Sequence, residues 1–334
     1  MFRKSFIILS ILIALITIHL LISWSSITQS SDKAFKQAFL KHNKVFPVEI
    51  PAKVIFADES VPLDKYYVYE ALDRELTINT YWHSNSILWM KRANRWFPLI
   101  EPILKLYNIP NDFKYLAVIE SGLTNTVSPA GAAGFWQLMD KTAKELGLEV
   151  DNQVDERYHV VKATHAACKY LNESYKIYGS WFMSAAAYNA GKDRIVRAIG
   201  DQKTNDYFDL YLNEETSRFI YRLLAVKTIF EAPANYGFYL RKKDLYQPVP
   251  TFTVSADSSI SNLTDYALYH NINYRLLKEF NPWLMDNKLH NPSRKTYTFI
   301  IPQTGFMSRQ KLLEQLAHPD LLLNDTISAG QLFE

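Results

Sequence analysis

Segments with a helical pattern, separated by short loops, fill the chain from Pro110 to Phe230. The last is a long segment from about Glu214, and helical composition also dominates the stretch from Asp64 to Tyr107, where glycine is almost absent. Apolar residues with helical spacing allow each helix to bury one face against its neighbours. The pattern predicts a mainly α-helical domain, and 334 residues leave room for further units.

The character of the sequence changes near Pro248. Runs rich in β-branched and aromatic residues cover 251–254 and 297–301, and two segments of helical composition, 259–270 and 273–280, lie between them. This order predicts a small β-α-α-β module.

The N-terminus combines a basic flank with an apolar run. Arg3 and Lys4 precede a run from Phe6 to Trp24, which has about the 20 residues needed to span a bilayer. We interpret it as an uncleaved signal anchor that places the rest of the chain on the periplasmic side of the inner membrane. A cleaved signal peptide is the alternative.

Charge and cysteine content exclude several classes of protein. The formal net charge is only +3, without a long run of Lys or Arg, so the basic stripe of a nucleic-acid-binding protein is missing. Cys168 is the single cysteine, which excludes a disulfide or a cysteine metal cluster within one chain. We expect Cys168 to be a buried hydrophobic residue.

Glu120 is the candidate catalytic acid. The segment 112–122 predicts a helix capped by Asp112 and ended by Gly122, so Glu120 lies in the last turn. Apolar neighbours and the negative end of the helix dipole both raise the pKa of a carboxyl there. A general acid needs this property, although a single Glu at a helix end is usually a solvated surface residue.

Two further stretches of the sequence favour a catalytic role for Glu120 over that of a surface residue. A run of small residues, 128–134, allows close approach of backbone to a ligand, and Phe135 and Trp136 follow it directly. These two aromatic residues either stack against sugar rings or belong to the hydrophobic core, and we favour the core. A second stretch of small residues ends in Tyr188 and Asn189, which offer a hydroxyl and an amide.

Together these stretches resemble the lytic transglycosylases with a goose-type-lysozyme-like fold, in particular the membrane-bound transglycosylase D branch. The matching residues are Val118 to Met139, Ala187 to Gly191, and the pair Glu215-Thr216. In the family a basic residue usually follows that pair, whereas this chain has Ser217 and then Arg218.

The resemblance implies roles for site residues. Glu120 is expected to be the catalytic acid and then base, and no metal or other cofactor is needed. The expected substrate-binding residues are Ser121, Gln137, Tyr188, Asn189 and Glu215. Ser121 would lie near the peptide-bearing sugar, Gln137 would bind substrate or shape the groove, and Tyr188 and Asn189 would orient Glu120 and an acetamido group.

The reaction that the resemblance implies, cleavage of a glycan strand, needs only one catalytic carboxyl. Ordinary glycosidases use two, but the C6 hydroxyl of N-acetylmuramic acid can itself attack C1 and give a 1,6-anhydromuramoyl end. A hydrolytic muramidase and a non-catalytic wall-binding protein remain alternatives. The expected partners are peptidoglycan strands, the inner membrane and proteins of cell-wall synthesis or division, with no nucleic acid.

The C-terminal module resembles a LysM domain, which binds glycans containing N-acetylglucosamine. The match rests on the β-α-α-β order and on the stretches Asp257 to Ile260, Asn273 to Pro282 and Phe299 to Pro302. A structural or protein-binding role is the alternative. If the module binds glycan, its deletion should weaken binding to purified sacculi and leave cleavage of short soluble glycans nearly unchanged. The expected parts are 1–30 as signal anchor, 31–96 as tether and N-terminal helices, 97–240 as lysozyme-like domain, 249–303 as LysM-like module and 304–334 as tail.

Overall fold

The computed structural model describes residues 32–34, 36–37 and 46–323. The predicted signal anchor over residues 1–30 lies outside these residues. Within the part of the chain that is described, no helix is both long and apolar enough to cross a membrane.

The expected mainly α-helical domain is confirmed. A short hairpin of β1 (Ile55–Phe56) and β2 (Glu59–Ser60) precedes the helices. The helices are α1 (Tyr66–Tyr81), α2 (His83–Leu106), α3 (Lys114–Ser121), α4 (Asp140–Glu145), α5 (Val160–Tyr178), α6 (Trp181–Ala190), α7 (Lys192–Gln202) and α8 (Glu214–Glu231).

Helix α6 lies at the centre of this domain and packs on α5, α7 and α8. Its small residues, Ala185 to Ala187, are fully buried, so neighbouring helices approach closely. Helix α8 also packs on α1 and α3, and α5 packs on α2. The core therefore surrounds the two helices, α3 and α6, that carry Glu120, Tyr188 and Asn189.

Helix α2 continues through two prolines. Pro98 and Pro102 lie inside it, one turn apart on its exposed side. Proline removes a backbone donor and bends a helix, but water can hydrogen-bond the carbonyls freed on an exposed face. The helix is not split, and the expected domain boundary between residues 96 and 97 falls inside it.

The C-terminal module has the predicted β-α-α-β order. It contains β3 (Thr251–Ala256), α9 (Leu263–Tyr269), α10 (Tyr274–Phe280) and β4 (Tyr297–Pro302), and β3 pairs antiparallel with β4 from Thr251↔Pro302 to Ala256↔Tyr297. Helix α9 begins later than predicted because the Asn262 side chain caps it, accepting from the Thr264 amide at 2.8 Å. In the tail, α11 covers Arg309–Leu313.

The hydrophobic core of the module includes one residue from far earlier in the chain. Val154, only 1% exposed, packs among the buried side chains of the module and forms a β-bridge with Leu284. The other members are Leu263, Ala267, Ile272, Leu277, Trp283, Leu284, Leu289, Tyr297, Phe299 and Ile301. The module and the helical domain thus share a core element.

The segment between the helical domain and the module is also held in place. The Tyr246 amide donates to the Lys91 carbonyl at 3.1 Å, and Arg95 Nε donates to the Gln247 carbonyl at 3.1 Å. Both contacts fix the segment on α2.

Among the described residues, 239–243 and 318–323 belong to a second compact unit. In its described part, Arg241 forms a β-bridge with Leu322, and the Lys242 amide donates to the Leu321 carbonyl at 2.8 Å. Lys243 forms an ion pair with Asp320 at 2.6 Å.

Candidate active site

Helix α3 ends directly after Glu120. Gly122 adopts the left-handed conformation at φ +61°, and its amide donates to the Val118 carbonyl at 2.8 Å. A Cβ here would lie 2.6 Å from Trp89 Nε1, so both conformation and space require glycine. The predicted cap is wrong, however: a 3-10 turn over Asn111–Phe113 precedes α3, and Asp112 Oδ2 accepts from the Ala57 amide at 2.8 Å instead.

Glu120 is partly buried, and the apolar residues before it on α3, Leu116 to Ile119, are buried. Desolvation raises the pKa of its carboxyl to about 8; Arg222 nearby lowers the pKa and Glu215 raises it. At neutral pH Glu120 is therefore mainly protonated. This is the state in which a carboxyl can donate a proton.

The loop over residues 126–139 lies beside α3. Bridges between Val127 and Ala133 and between Ala133 and Leu138 fold it back on itself. Ser121 Oγ donates to the Phe135 carbonyl at 2.9 Å, which ties the loop to the turn after Glu120. We call residues 126–139 the site loop.

Gln137 stabilises the site loop from within. It has a positive φ of +47°, and its side-chain amide donates to the Gly134 carbonyl at 2.8 Å and the Thr126 carbonyl at 3.0 Å. Of the two roles expected for Gln137, these contacts match the one in which it shapes the loop.

Phe135 and Trp136 belong to the core. They are 2% and 0% exposed, and Trp136 Nε1 donates to Thr164 Oγ1 on α5 at 2.8 Å. The Phe135 ring packs edge-on against Trp96, with centroids 5.0 Å apart. The favoured interpretation of both residues is confirmed, and they anchor the site loop instead of binding sugar.

Helix α6 brings Tyr188 and Asn189 to the same site. The Tyr188 hydroxyl donates to the Trp136 carbonyl at 2.6 Å, and burial followed by the proximity of Glu120 raises the pKa of Tyr188 well above its ordinary value. Asn189 Oδ1 accepts from Thr216 Oγ1 at 3.0 Å. The site loop, α6 and α8 are thus connected by hydrogen bonds around Glu120.

Helix α8 contributes charge. Glu215 is exposed, and Arg222 lies two turns further along the helix. Arg222 Nε is buried, and within residues 46–323 it has no hydrogen-bond partner. Arg218, the displaced basic residue after the Glu-Thr pair, donates to Glu75 Oε1 on α1 at 2.8 Å and serves an ion pair between helices.

From the sequence we predicted no contact for Thr216 and no role for Arg222 or Arg157. Arg222 follows Glu215 by seven residues, a spacing that places both on one helix face, so it could have been found. The hydrogen bond from Thr216 to Asn189 and the contacts of Arg157 with the site loop join distant segments, and no local pattern indicates them.

Comparisons with known proteins agree with this geometry. Residues 99–210 match the family described as transglycosylase SLT domain, and residues 252–305 match the family described as soluble lytic transglycosylase C-terminal LysM-like domain. The chain therefore carries an SLT domain followed by a LysM-like domain.

More particularly, the chain is homologous to membrane-bound lytic murein transglycosylase D of Escherichia coli strain K12. The two are 30% identical over 196 residues, which are 57% of this chain and 43% of that protein. The same values hold for the protein of that name in strain O6:H1. This chain thus spans less than half the length of these relatives.

Among solved structures, the 70 kDa soluble lytic transglycosylase of Escherichia coli matches with a TM-score of 0.35 and 23% identity. The match covers 42% of this chain and 23% of that one.

Proposed function

We propose that this protein is a peptidoglycan lytic transglycosylase that cleaves the β-1,4 bond between N-acetylmuramic acid and N-acetylglucosamine. The observation that carries the proposal is Glu120, a carboxyl with a pKa of about 8 within the region that matches the SLT domain. Homology to two murein transglycosylases supports the same substrate.

In the proposed first step, Glu120 donates its proton to the glycosidic oxygen, and the bond from that oxygen to C1 of N-acetylmuramic acid breaks. In the second step, the Glu120 carboxylate accepts the proton of the C6 hydroxyl while the C6 oxygen bonds to C1. The proton balance closes, Glu120 ends protonated, and the product carries a 1,6-anhydro ring.

The other site residues divide into two groups in this proposal. Asn189, which is partly exposed, and Glu215, which is exposed, would contact sugar directly. Ser121, Gln137 and Tyr188 hydrogen-bond backbone carbonyls of the site loop, so they act on substrate chiefly by holding that loop.

We also propose that the protein works in the cell envelope, facing the periplasm and anchored in the inner membrane by its N-terminal segment, where proteins of wall synthesis or division are candidate partners. The basic flank and apolar run support the anchor, and the relatives are named as membrane-bound. Recovery of all protein in the soluble fraction, with a mature N-terminus near Ser26, would refute the anchor and leave export intact.

The decisive experiment compares Glu120→Gln with wild type on purified sacculi. The amide keeps the size of the side chain but cannot transfer a proton, and one acid/base group is typically worth about 10²–10⁴-fold in rate. Because Glu120 serves both steps, we expect a loss at the upper end of that range or beyond, at unchanged folding.

The matched control is Glu70→Gln, an exposed carboxyl on α1 of the same domain. Mass spectrometry of the released muropeptides separates the alternatives. Anhydro ends indicate a lytic transglycosylase, reducing ends a muramidase, and no release by wild type a non-catalytic binding protein. Near-normal release of anhydro ends by the Gln variant would refute the mechanism.

A further inference from the structure

The segment from Glu149 to His159 belongs to the SLT domain in sequence but contacts the LysM-like module. The Asp155 amide donates to the Trp283 carbonyl at 2.9 Å, and Tyr297 Oη donates to Glu149 Oε1 at 2.8 Å. Val154 completes the core of the module. We call residues 149–159 the module seat.

Asp155 and Arg157 form a buried ion pair within the module seat. Arg157 Nε lies 2.9 Å from Asp155 Oδ1 and Nη2 lies 2.7 Å from Oδ2, a two-pronged contact. The Arg157 side chain is only 11% exposed and the Asp155 side chain only 7%. Such geometry fixes the plane of a guanidinium.

The third nitrogen of Arg157 points at the site loop. Nη1 donates to the Gly131 carbonyl at 2.9 Å and to the Leu138 carbonyl at 3.3 Å. One guanidinium nitrogen therefore joins two positions of the site loop that are seven residues apart. The backbones also meet, since a Cβ on Gly134 would lie 2.0 Å from the Arg157 carbonyl oxygen.

Between these contacts the loop binds the residues around Glu120. Its Phe135 carbonyl accepts from Ser121, and its Trp136 carbonyl accepts from Tyr188. Hydrogen bonds therefore lead from the module through Asp155 and Arg157 to the site loop, and from the loop to Ser121 and Tyr188 beside Glu120.

We propose that Arg157 is a positioning residue that holds the site loop beside Glu120, and that the LysM-like module fixes Arg157 through Asp155. The inference rests on the proposed function, to which it adds a second task for the module. Through the module seat the module then helps to position the site loop, in addition to being a candidate wall-binding unit.

The first test is Arg157→Lys in the full chain, assayed on short soluble glycans that are too small to need wall binding. Lysine keeps the charge beside Asp155 but has no planar fork, so it cannot also hold both loop carbonyls. We expect kcat to fall about tenfold to a hundredfold, as a displacement near 1 Å can cost that much, with a smaller change in KM.

The pH profile gives a readout that a general stabiliser would not move. A loosened site loop admits water to Glu120 and weakens the desolvation that raises its pKa. The alkaline limb of kcat/KM should therefore move below the wild-type position near 8. The matched control, Arg275→Lys, changes an arginine of the module that is 88% exposed and should leave all of these values unchanged.

A double-mutant cycle tests the connection through Asp155. Asp155→Asn keeps the size of the side chain but removes the charge, so we expect a smaller loss of kcat. Because both residues act through one contact, the double variant should be no worse than Arg157→Lys. Strictly additive losses would overturn the coupling between Asp155 and Arg157.

Hydrogen exchange supplies a measurement that needs no substrate. In Arg157→Lys, amides of residues 126–139 should exchange faster while those of α5 do not change. This measurement distinguishes the two proposals, because it still decides the role of Arg157 if wild type proves to cleave no glycan. Unchanged exchange with an unchanged pH profile, or faster exchange throughout the domain, would overturn the positioning role.

Discussion

At the scale of the residue, burial decides the chemistry of Glu120. Desolvation is the largest influence on its carboxyl and raises the pKa to about 8. The acid form needed for the first step is lost as pH rises through this value. We expect kcat/KM on soluble glycans to fall tenfold per pH unit well above 8, measured by release of anhydro ends. A profile that is flat to pH 10 would exclude Glu120 as the acid.

The same shift predicts a pH dependence of stability. Since the pKa is 4.5 in the unfolded chain and about 8 in the folded one, the folded state binds more protons over that interval. Wild type should therefore lose stability relative to Glu120→Gln as pH rises from 4.5 to 8. Thermal unfolding of both proteins across this range measures the difference, which should be smallest at the acid end.

Tyr188→Phe removes one hydroxyl and strands one carbonyl. The Trp136 carbonyl, which accepts from Tyr188 at 2.6 Å, would lose its donor. An unsatisfied buried acceptor costs about 1–3 kcal/mol of unfolding free energy. We expect that loss in denaturant titrations, with a smaller drop in activity than for Glu120→Gln. The control is Tyr211→Phe, which alters a tyrosine that is 91% exposed.

The sequence was most informative about residues with local signatures. The end of the helix at Gly122 and the position of Glu120 in its last turn follow from neighbouring residues in the sequence. The partner of Asp112 did not, because the Ala57 amide that binds it lies 55 residues away. The local sequence around an Asp before a helix is the same whether the side chain caps that helix or binds another segment.

At the scale of the element, the end of α3 can be tested with a matched pair of glycines. Gly122 and Gly179 end α3 and α5 with nearly equal φ angles of +61° and +64°, yet a Cβ would meet Trp89 only at Gly122. Gly179→Ala should cost about 1–2 kcal/mol for the left-handed backbone alone.

Gly122→Ala should cost more than Gly179→Ala, since the added methyl group must displace an indole ring. It should also lower activity, because Glu120 lies two residues before it. Chemical denaturation of both variants, with activity assays, provides the comparison. Equal losses of stability would mean that Trp89 moves aside freely.

Element types were predictable from periodicity, but some bounds were not. Helix α2 persists through Pro98 and Pro102 because they lie on its exposed side, which composition does not reveal in advance. Helix α9 begins at Leu263 because Asn262, not Ser259, caps it. The first difference comes from which side of the helix faces solvent, and the second from which polar residue caps the helix.

At the scale of the whole molecule, Val154 links the helical domain to the module. Val154→Ala changes the SLT domain in sequence but empties part of the module core, so it should destabilise the module by about 1–3 kcal/mol. Hydrogen exchange in β3 and β4 should become faster. The control is Val196→Ala at a site that is 49% exposed on α7, which should leave the strands unaffected.

The structure joins the module to the helical domain through a shared core. The β-bridge of Val154 with Leu284 joins residues 130 positions apart, and a single valine between polar neighbours carries no sign of its destination. Composition could predict a boundary near Pro248, but not that both sides of it would share one core. Deletion of the module would therefore also disturb the helical domain.

The fixed seat of the module limits its reach. A binding domain on a flexible linker can bind one glycan strand while the catalytic domain cleaves bonds along another. Here the connecting segment is bound to α2 and the module is bound at the seat, so the module and Glu120 keep one separation. If the module binds a strand, the bond that reaches Glu120 lies at a fixed distance along that strand from the bound sugars. The fragments cut from long strands should therefore cluster in length.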